Sequence, residues 1–299
     1  MKKLHLFLFC STLFFWLGLE NFLHVYSLKD TRFETSNASS KERLVKYFSD
    51  LFHRGGFGYT LIGARALAFD IPEHPTPFRK KKQTIIFNSN KFLFKENRIA
   101  TKFRVATFIH KENFVTTFNE NQDLFRKTLG EEITAKKLLQ EIETSEKNIL
   151  DILNNDEALL GILLGCGREN ALLYARFDKL FSYKDSSLLP LPVIPCFRWH
   201  MTSKFSLELL TPSPGFASLK EESVWFEKHF NSGSYRKDDF TPFDIIYPRG
   251  FKVKKSSETK RLIKKYTKCK EILTNLFYGR DVVDVVLEQL NTDTPLTLD

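Results

Sequence analysis

The hydrophobic period of this chain changes near residue 110, and that change sets the fold class. Upstream, TIIFN (84–88) and KFRVATFI (102–109) are rich in β-branched and aromatic residues, with FLF (92–94) a weaker third run. Such runs suit a pleated, half-buried surface. Downstream, the apolar residues fall a helical turn or two apart. Phe114, Phe118 and Phe125 do so in 112–128, and Ala135, Leu138, Leu139 and Ile142 in 134–146. That spacing places them on one face of a helix. The expected class is therefore α+β: mostly helical, with a small antiparallel sheet in the N-terminal half packed against helices between 111 and 182.

Other segments extend this reading. Ser39-x-x-Glu42 has the form of a capping box. It opens a helix with Leu44, Val45, Phe48, Leu51 and Phe52 on one side, stopped by Gly55-Gly56. Phe57–Phe69 is expected as strand, turn, strand. Ile149–Leu153 is a short apolar turn, and Asp156 can cap ALLGILLG (158–165). Arg168–Phe181 follows as a helix with Leu173, Phe177, Leu180 and Phe181 inward. Residues 183–216 are proline-rich and read as a long irregular crossing. Ser218-x-x-Glu221 is a second capping box, opening a helix through Phe230. NSGSYRKDD (231–239) is polar, and FDIIYPRGFKV (243–253) is expected to be extended. From Glu258 to Phe277, Leu262, Tyr266, Cys269, Leu273 and Leu276 recur at seam spacing. Two heptads are too few for a coiled coil, so this helix is expected to pack on the domain's own core, with self-association as the alternative. Val282–Leu290 reads as a last short helix.

The first residues concern address. Lys2 and Lys3 precede Leu4–Leu19, which carries no charge, and Val25-Tyr26-Ser27 offers small residues at a cut. That is the pattern of a secretory signal, with a mature chain starting at Leu28. Glu20 ends the run short of the roughly 20 apolar residues of a membrane span, yet an uncleaved anchor through residues 4–19 is the second reading. Lipidation at Cys10 is disfavoured because Phe9 stands where a small residue is needed. The expected organisation is 1–27 signal or anchor, 28–40 flexible lead-in, and 41–299 one globular domain carrying the loop at 183–216. The expected address is periplasm, cell envelope or outside the cell.

The formal net charge is +9, and +8 without residues 1–27. A moderately basic exported chain is drawn weakly to any anionic surface; a solvated basic face is the simpler account, and no specific nucleic-acid partner is implied. The runs Arg79–Lys82 and Lys264–Lys270 lack the interleaved aromatics of a nucleic-acid platform. The 30 Phe residues read as core filling. Cys166, Cys196 and Cys269 are too few, and odd in number, for a disulfide scaffold, and their redox state stays open. No zinc-type Cys/His spacing occurs, so no metal and no cofactor are expected.

Two clusters are candidate sites. Gly165-Cys166-Gly167-Arg168-Glu169-Asn170-Ala171 loosely follows the glycine pattern of dinucleotide loops, but such a loop needs a strand before it. A tight turn between two helices, tied by Arg168 and Asn170, accounts for it better. Phe197-Arg198-Trp199-His200-Met201 gathers Arg198, His200 and an indole in the proline-rich loop, where an anion or a proton could be handled. Arg168, Asn170, Arg198 and His200 are thus the candidate binding residues. No G-x-S-x-G elbow or H-E-x-x-H motif occurs, and the catalytic residues, if any, are not legible. Gly55-Gly56-Phe57-Gly58-Tyr59-Thr60 lacks the Lys-Ser/Thr of a P-loop.

At GGFGYTLIGARALAF (55–69), ALLGILLGCGRENALLYARF (158–177) and SETKRLIKKYTKCKEILTNLFYGRDVVDVVLEQL (257–290), the chain resembles an uncharacterised protein family of Chlamydia-like obligate intracellular bacteria. The resemblance implies a setting, the bacterial envelope or the host interface, and brings no activity or catalytic residue. Cys166 stands where an aromatic is expected in that family's glycine turn, which counts against a catalytic role for it. The leading expectation is an exported, non-catalytic protein that binds a protein or envelope partner. The alternative is an envelope hydrolase with a site near 165–170 or 197–201.

Overall fold

The structure, a computed structural model, describes residues 42, 45–54, 56–70, 85–98, 104–183, 211–229 and 256–291. The leading segment, most of the proline-rich crossing with Arg198 and His200, the stretch 230–255 and the basic run Arg79–Lys82 lie outside the described residues. Among the described residues, no helix is long and apolar enough to cross a membrane.

The sheet is antiparallel and four-stranded. Strands β1 (Leu67–Asp70), β2 (Ile85–Asn88), β3 (Phe92–Arg98) and β4 (Arg104–His110) lie in the order β1-β4-β3-β2. The register pairs Leu93 with Ile109, Phe94 with Phe108 and Ala68 with Phe108. Because side chains alternate along a strand, that register sorts the strands into two apolar faces. Ala68, Phe92, Phe94, Ala106 and Phe108 share the first face, and Leu67, Leu93 and Ile109 the second. The mostly helical α+β class read from the period change is the observed one. A sheet with both faces apolar needs helices on both sides, however, and only one layer was anticipated.

The second face is covered by helices that follow β4 directly. These are α2 (Lys111–Glu120), α3 (Gln122–Leu129), α4 (Ala135–Thr144), α5 (Ile149–Ile152), α6 (Glu157–Leu163) and α7 (Arg168–Tyr183). The continuous helix expected over 112–128 breaks at Asn121, whose backbone leaves the helical region. Four helix starts in this layer are capped by side chains, the first by His110, which accepts from the Asn113 amide. Thr134 accepts from the Lys137 amide, Asn148 from Leu150 and Asp151, and Asp156 from Leu159. Each such bond satisfies an N–H that the helix leaves unpaired. Lys95 and Asn97 peg this layer to the sheet. The Lys95 ammonium, almost wholly buried, donates to the carbonyls of Ile142 (2.6 Å) and Ser145, while the Asn97 amide donates to Glu146 (2.9 Å) and Lys147 (3.1 Å). Burial pulls the Lys95 pKa below its ordinary value.

The first face is covered from both ends of the described chain. Residues 45–54 are helical, with Ser49–Arg54 wound as a π-helix. They pack with α1 (Phe57–Leu61), α9 (Ser257–Phe277) and α10 (Val282–Asn291). Phe108 is the hub. It stacks on Phe92 at 5.2 Å and Phe57 at 6.0 Å and meets the edge of Phe52 at 5.5 Å. Phe57–Leu61 is helical where a strand was expected. All five residues are buried, and Gly56 and Gly63 bracket the turn at positive φ. Burial between the sheet and the C-terminal helices overrides the local strand preference of YTLI. The seam of α9 buries Tyr266, Cys269 and Leu273 in this layer, as packing on the own core requires.

A satellite cluster forms where α8 (Leu219–His229) lies against α7. Leu180 and Phe226 are its buried centre. Arg176 donates from Nε (2.8 Å) and Nη2 (2.6 Å) to Glu222, which also accepts from Ser213. The Arg176 hydrogen bonds hold the Glu222 carboxyl down at about 2.

Candidate functional site

The glycine turn at 165–167 is where the two helical layers meet. Leu164 closes α6, and Gly165 and Gly167 follow with φ of 78° and 83°, a region that glycine enters freely. Around the turn, four side chains from outside the motif converge: Arg65 before β1, and Glu258, Thr259 and Tyr266 of α9.

Glu258 does the capping that the turn cannot do for itself. The residue before α7 is Gly167, which has no side chain to offer the helix. Instead Glu258 accepts from the Arg168 amide at 3.0 Å and from the Glu169 amide at 2.9 Å, one through each carboxylate oxygen. A Cβ on Gly167 would lie 2.7 Å from both the Glu258 carboxyl carbon and Leu262 Cδ1, so only glycine admits this approach. Glu258 also lies in the first turn of α9, which Ser256 caps through the Thr259 amide. Two helix N-termini, each with partial positive charge, therefore share one carboxylate, an arrangement the helix dipole favours.

Asn170 and Tyr266 fasten the rest. The buried Asn170 amide donates to the Cys166 carbonyl (3.0 Å) and to Thr259 Oγ1 (3.1 Å), and the Tyr266 hydroxyl donates to the Gly165 carbonyl (2.6 Å). Burial raises the Tyr266 hydroxyl to about 12. The Arg65 guanidinium lies against the rings of Tyr59, at 4.7 Å, and Tyr266, at 4.8 Å, which meet each other edge to face. Aromatic faces offset part of the cost of removing a guanidinium from water. Its stem passes Gly165 and its tip passes Gly56, where an added Cβ would lie 3.1 and 3.0 Å from it. Arg168 points outward and clasps Asp123 of α3 through two bonds, 2.8 and 2.5 Å. That clasp holds Asp123 at about 2 and raises Arg168.

This arrangement decides what the turn can do. A dinucleotide loop presents amides to a pyrophosphate at a helix N-terminus. Here those amides donate to Glu258, and the preceding element is the helix α6 rather than a strand. The Cys166 thiol is fully buried, and burial pushes its pKa up, away from the thiolate that nucleophilic chemistry requires. Among the described residues, no group of His, Cys, Asp or Glu is placed to hold a metal ion. Of the four candidate residues, Arg168 and Asn170 meet at the turn, the first outward and the second inward; Arg198 and His200 lie outside the described residues.

The sequence reading missed Arg65, Glu258, Thr259 and the Tyr266 hydroxyl as partners of the turn. Nothing local marks Arg65 as buried. Glu258 and Thr259 opened a helix on paper, and only the fold brings them to a turn some 90 residues upstream. The signal that was available is the pair of glycines itself, since two in three residues require a close approach by something.

Comparison with family models, with curated proteins and with solved structures gives no match.

Proposed function

We propose that this chain is an exported, non-catalytic protein that binds a partner at the envelope of an intracellular bacterium or at the interface with its host. The export reading rests on Lys2, Lys3 and the uncharged run Leu4–Leu19, and the setting on the family resemblance. The observation that supports a non-catalytic role is how the glycine turn is used: its carbonyls, its amides and the Asn170 side chain are engaged by Tyr266, Glu258, Thr259 and Asn170 itself. A hydrolase working from 165–170 would need a reachable nucleophile there, and the Cys166 thiol is sealed in.

Intact mass of the protein from fractionated native cells tests the proposal. The expected result is the mass of residues 28–299 outside the cytoplasm. A full-length chain in the membrane fraction would convert the signal into an anchor and keep the envelope setting. A chain confined to the cytosol would overturn the proposal.

A further inference from the structure

The outward face of α9 carries a run of exposed cations, and the partner-binding proposal makes no use of it. Over 257–271 the helix carries Lys260, Arg261, Lys264, Lys265, Lys268 and Lys270 against two acids, Glu258 and Glu271. Glu258 is turned inward onto the α7 amides, and Glu271 stands at the end of the row. Lys260, Lys264 and Lys268 recur every four residues and rise along one exposed side over about 12 Å. The opposite side is the buried seam of Tyr266, Cys269 and Leu273, so the helix cannot roll its cations away. Glu120 of α2 is the acid that bears on Lys265, whose pKa is lowered first by partial desolvation and further by Arg65 and Arg261.

We infer that this face docks on an anionic lipid surface. Charge complementarity selects an anionic partner. Two further features favour lipid over nucleic acid. Beside the lysine row the helix offers no outward aromatic on which a base could stack: Tyr266 and Phe277 are both buried, and the exposed Tyr278 stands at the C-cap, about 15 Å along the axis from Lys268. Its exposed apolar residue is instead the aliphatic Ile263, 44% exposed on the flank of the lysine row. Clusters of Lys and Arg on an amphipathic helix attract anionic headgroups at about 1 kcal/mol per cation, roughly fivefold in affinity each. In a chain that keeps it, the apolar run Leu4–Leu19 would supply a second attachment, and stable attachment takes two such signals. The docking itself does not depend on export.

Sedimentation of the full chain with vesicles tests the inference. Vesicles of pure phosphatidylcholine report what the apolar run contributes. Vesicles that also contain phosphatidylserine add what α9 contributes. The expected result is a phosphatidylserine-dependent gain in binding that high salt removes. The triple substitution Lys260→Ser, Lys264→Ser, Lys268→Ser should lose about a hundredfold of that gain. Lys127→Ser, Lys136→Ser and Lys137→Ser together, which remove exposed cations from α3 and α4, should keep it. Circular dichroism of both triple variants confirms the fold. Equal binding to the two vesicle types would overturn the inference, as would equal losses in the two triple variants. Binding of a single-stranded oligonucleotide that needs the α9 lysines, without vesicle binding, would overturn it in favour of nucleic acid.

Discussion

The two faces of the sheet are covered in opposite ways. On one, α2 to α7 follow each other without interruption and lay Phe114, Phe118, Leu138 and Leu159 over Leu93 and Ile109. On the other, Tyr47 to Ile62 and Tyr266 to Val286 come from the two ends of the described chain and close over Phe108. The first layer needs only short loops. The second must close a loop of most of the chain before its contacts form, and loop entropy opposes it. Its compensation is a dense set of aromatic contacts. The difference teaches that the α9–α10 layer is held by burial and by its few bonds to the turn, while the α2–α7 layer is held largely by its own succession. Local contacts also form faster than distant ones, so the α2–α7 layer should fold first.

The largest expected effect tests the hub of the long-range layer. Phe108→Ala removes a ring that touches Phe52, Phe57 and Phe92, and should cost about 3–5 kcal/mol in denaturant unfolding. Phe118→Ala, on the other face and packed on Phe125 at 4.7 Å, should cost a similar amount. Hydrogen exchange separates the two. Phe108→Ala should expose the amides of α9 and α10 well before those of α4 and α6. Uniform loss of protection in both variants would mean one cooperative unit, and the contrast between the layers would fail.

The next effect tests the joint between the layers. Gly165→Ala places a methyl group onto the Tyr266 hydroxyl in a backbone conformation that L-residues avoid. A loss of about 2–4 kcal/mol is expected from strain and the displaced hydrogen bond. Tyr266→Phe alone should cost about 1–2 kcal/mol. The double variant should cost less than the sum, because the hydroxyl that clashes is gone. Additive losses in denaturant titrations would show that turn and helix do not communicate.

The third effect concerns pH and is confined to the α2–α7 layer. Glu157 opens α6, and burial raises its carboxyl to about 8 from 4.5, with Asp178 and Asp156 adding to the shift. A carboxyl that keeps its proton in the fold up to about 8, and when unfolded only to 4.5, stabilises the fold fully below 4.5. That contribution disappears as pH rises from 4.5 to about 8. Thermal melts should therefore fall by several degrees across that window, and Glu157→Gln should flatten the slope. An unchanged slope in the variant would assign the dependence to other groups.

How much of this was legible follows from the same contrast. Phe114, Phe118, Phe125, Leu138 and Ile142 are spaced by their helices, so their burial on one face could be read directly. Asp156 was legible for the same reason, its partner Leu159 being close in sequence, and the Gly165–Gly167 turn was legible from its own two glycines. The α1 helix was misread because YTLI prefers a strand, and the burial that reverses the preference comes from α9 and α10. Arg65, Glu258 and Tyr266 were invisible as site residues because each acts on a turn far away in sequence. Periodicity reports which face of an element is apolar and carries no information about which distant element covers it.

The smallest expected effect is at the outer edge of the turn. Arg168 and Asp123 make the shortest bidentate pair there, and the pair holds Asp123 at about 2 against an ordinary 3.8. Its contribution is present above 3.8 and is lost as pH falls towards 2. Both side chains are exposed, however, and water and salt screen such pairs. Asp123→Asn should leave the melting temperature nearly unchanged at neutral pH, and added salt should erase what difference remains. Glu258→Gln should do more, although it keeps the shape of the side chain. It weakens two amide bonds and removes the charge that two helix N-termini share. If Asp123→Asn proves the more damaging of the two, the turn is held from outside by its ion pair, and the joint between the layers does not run through α9.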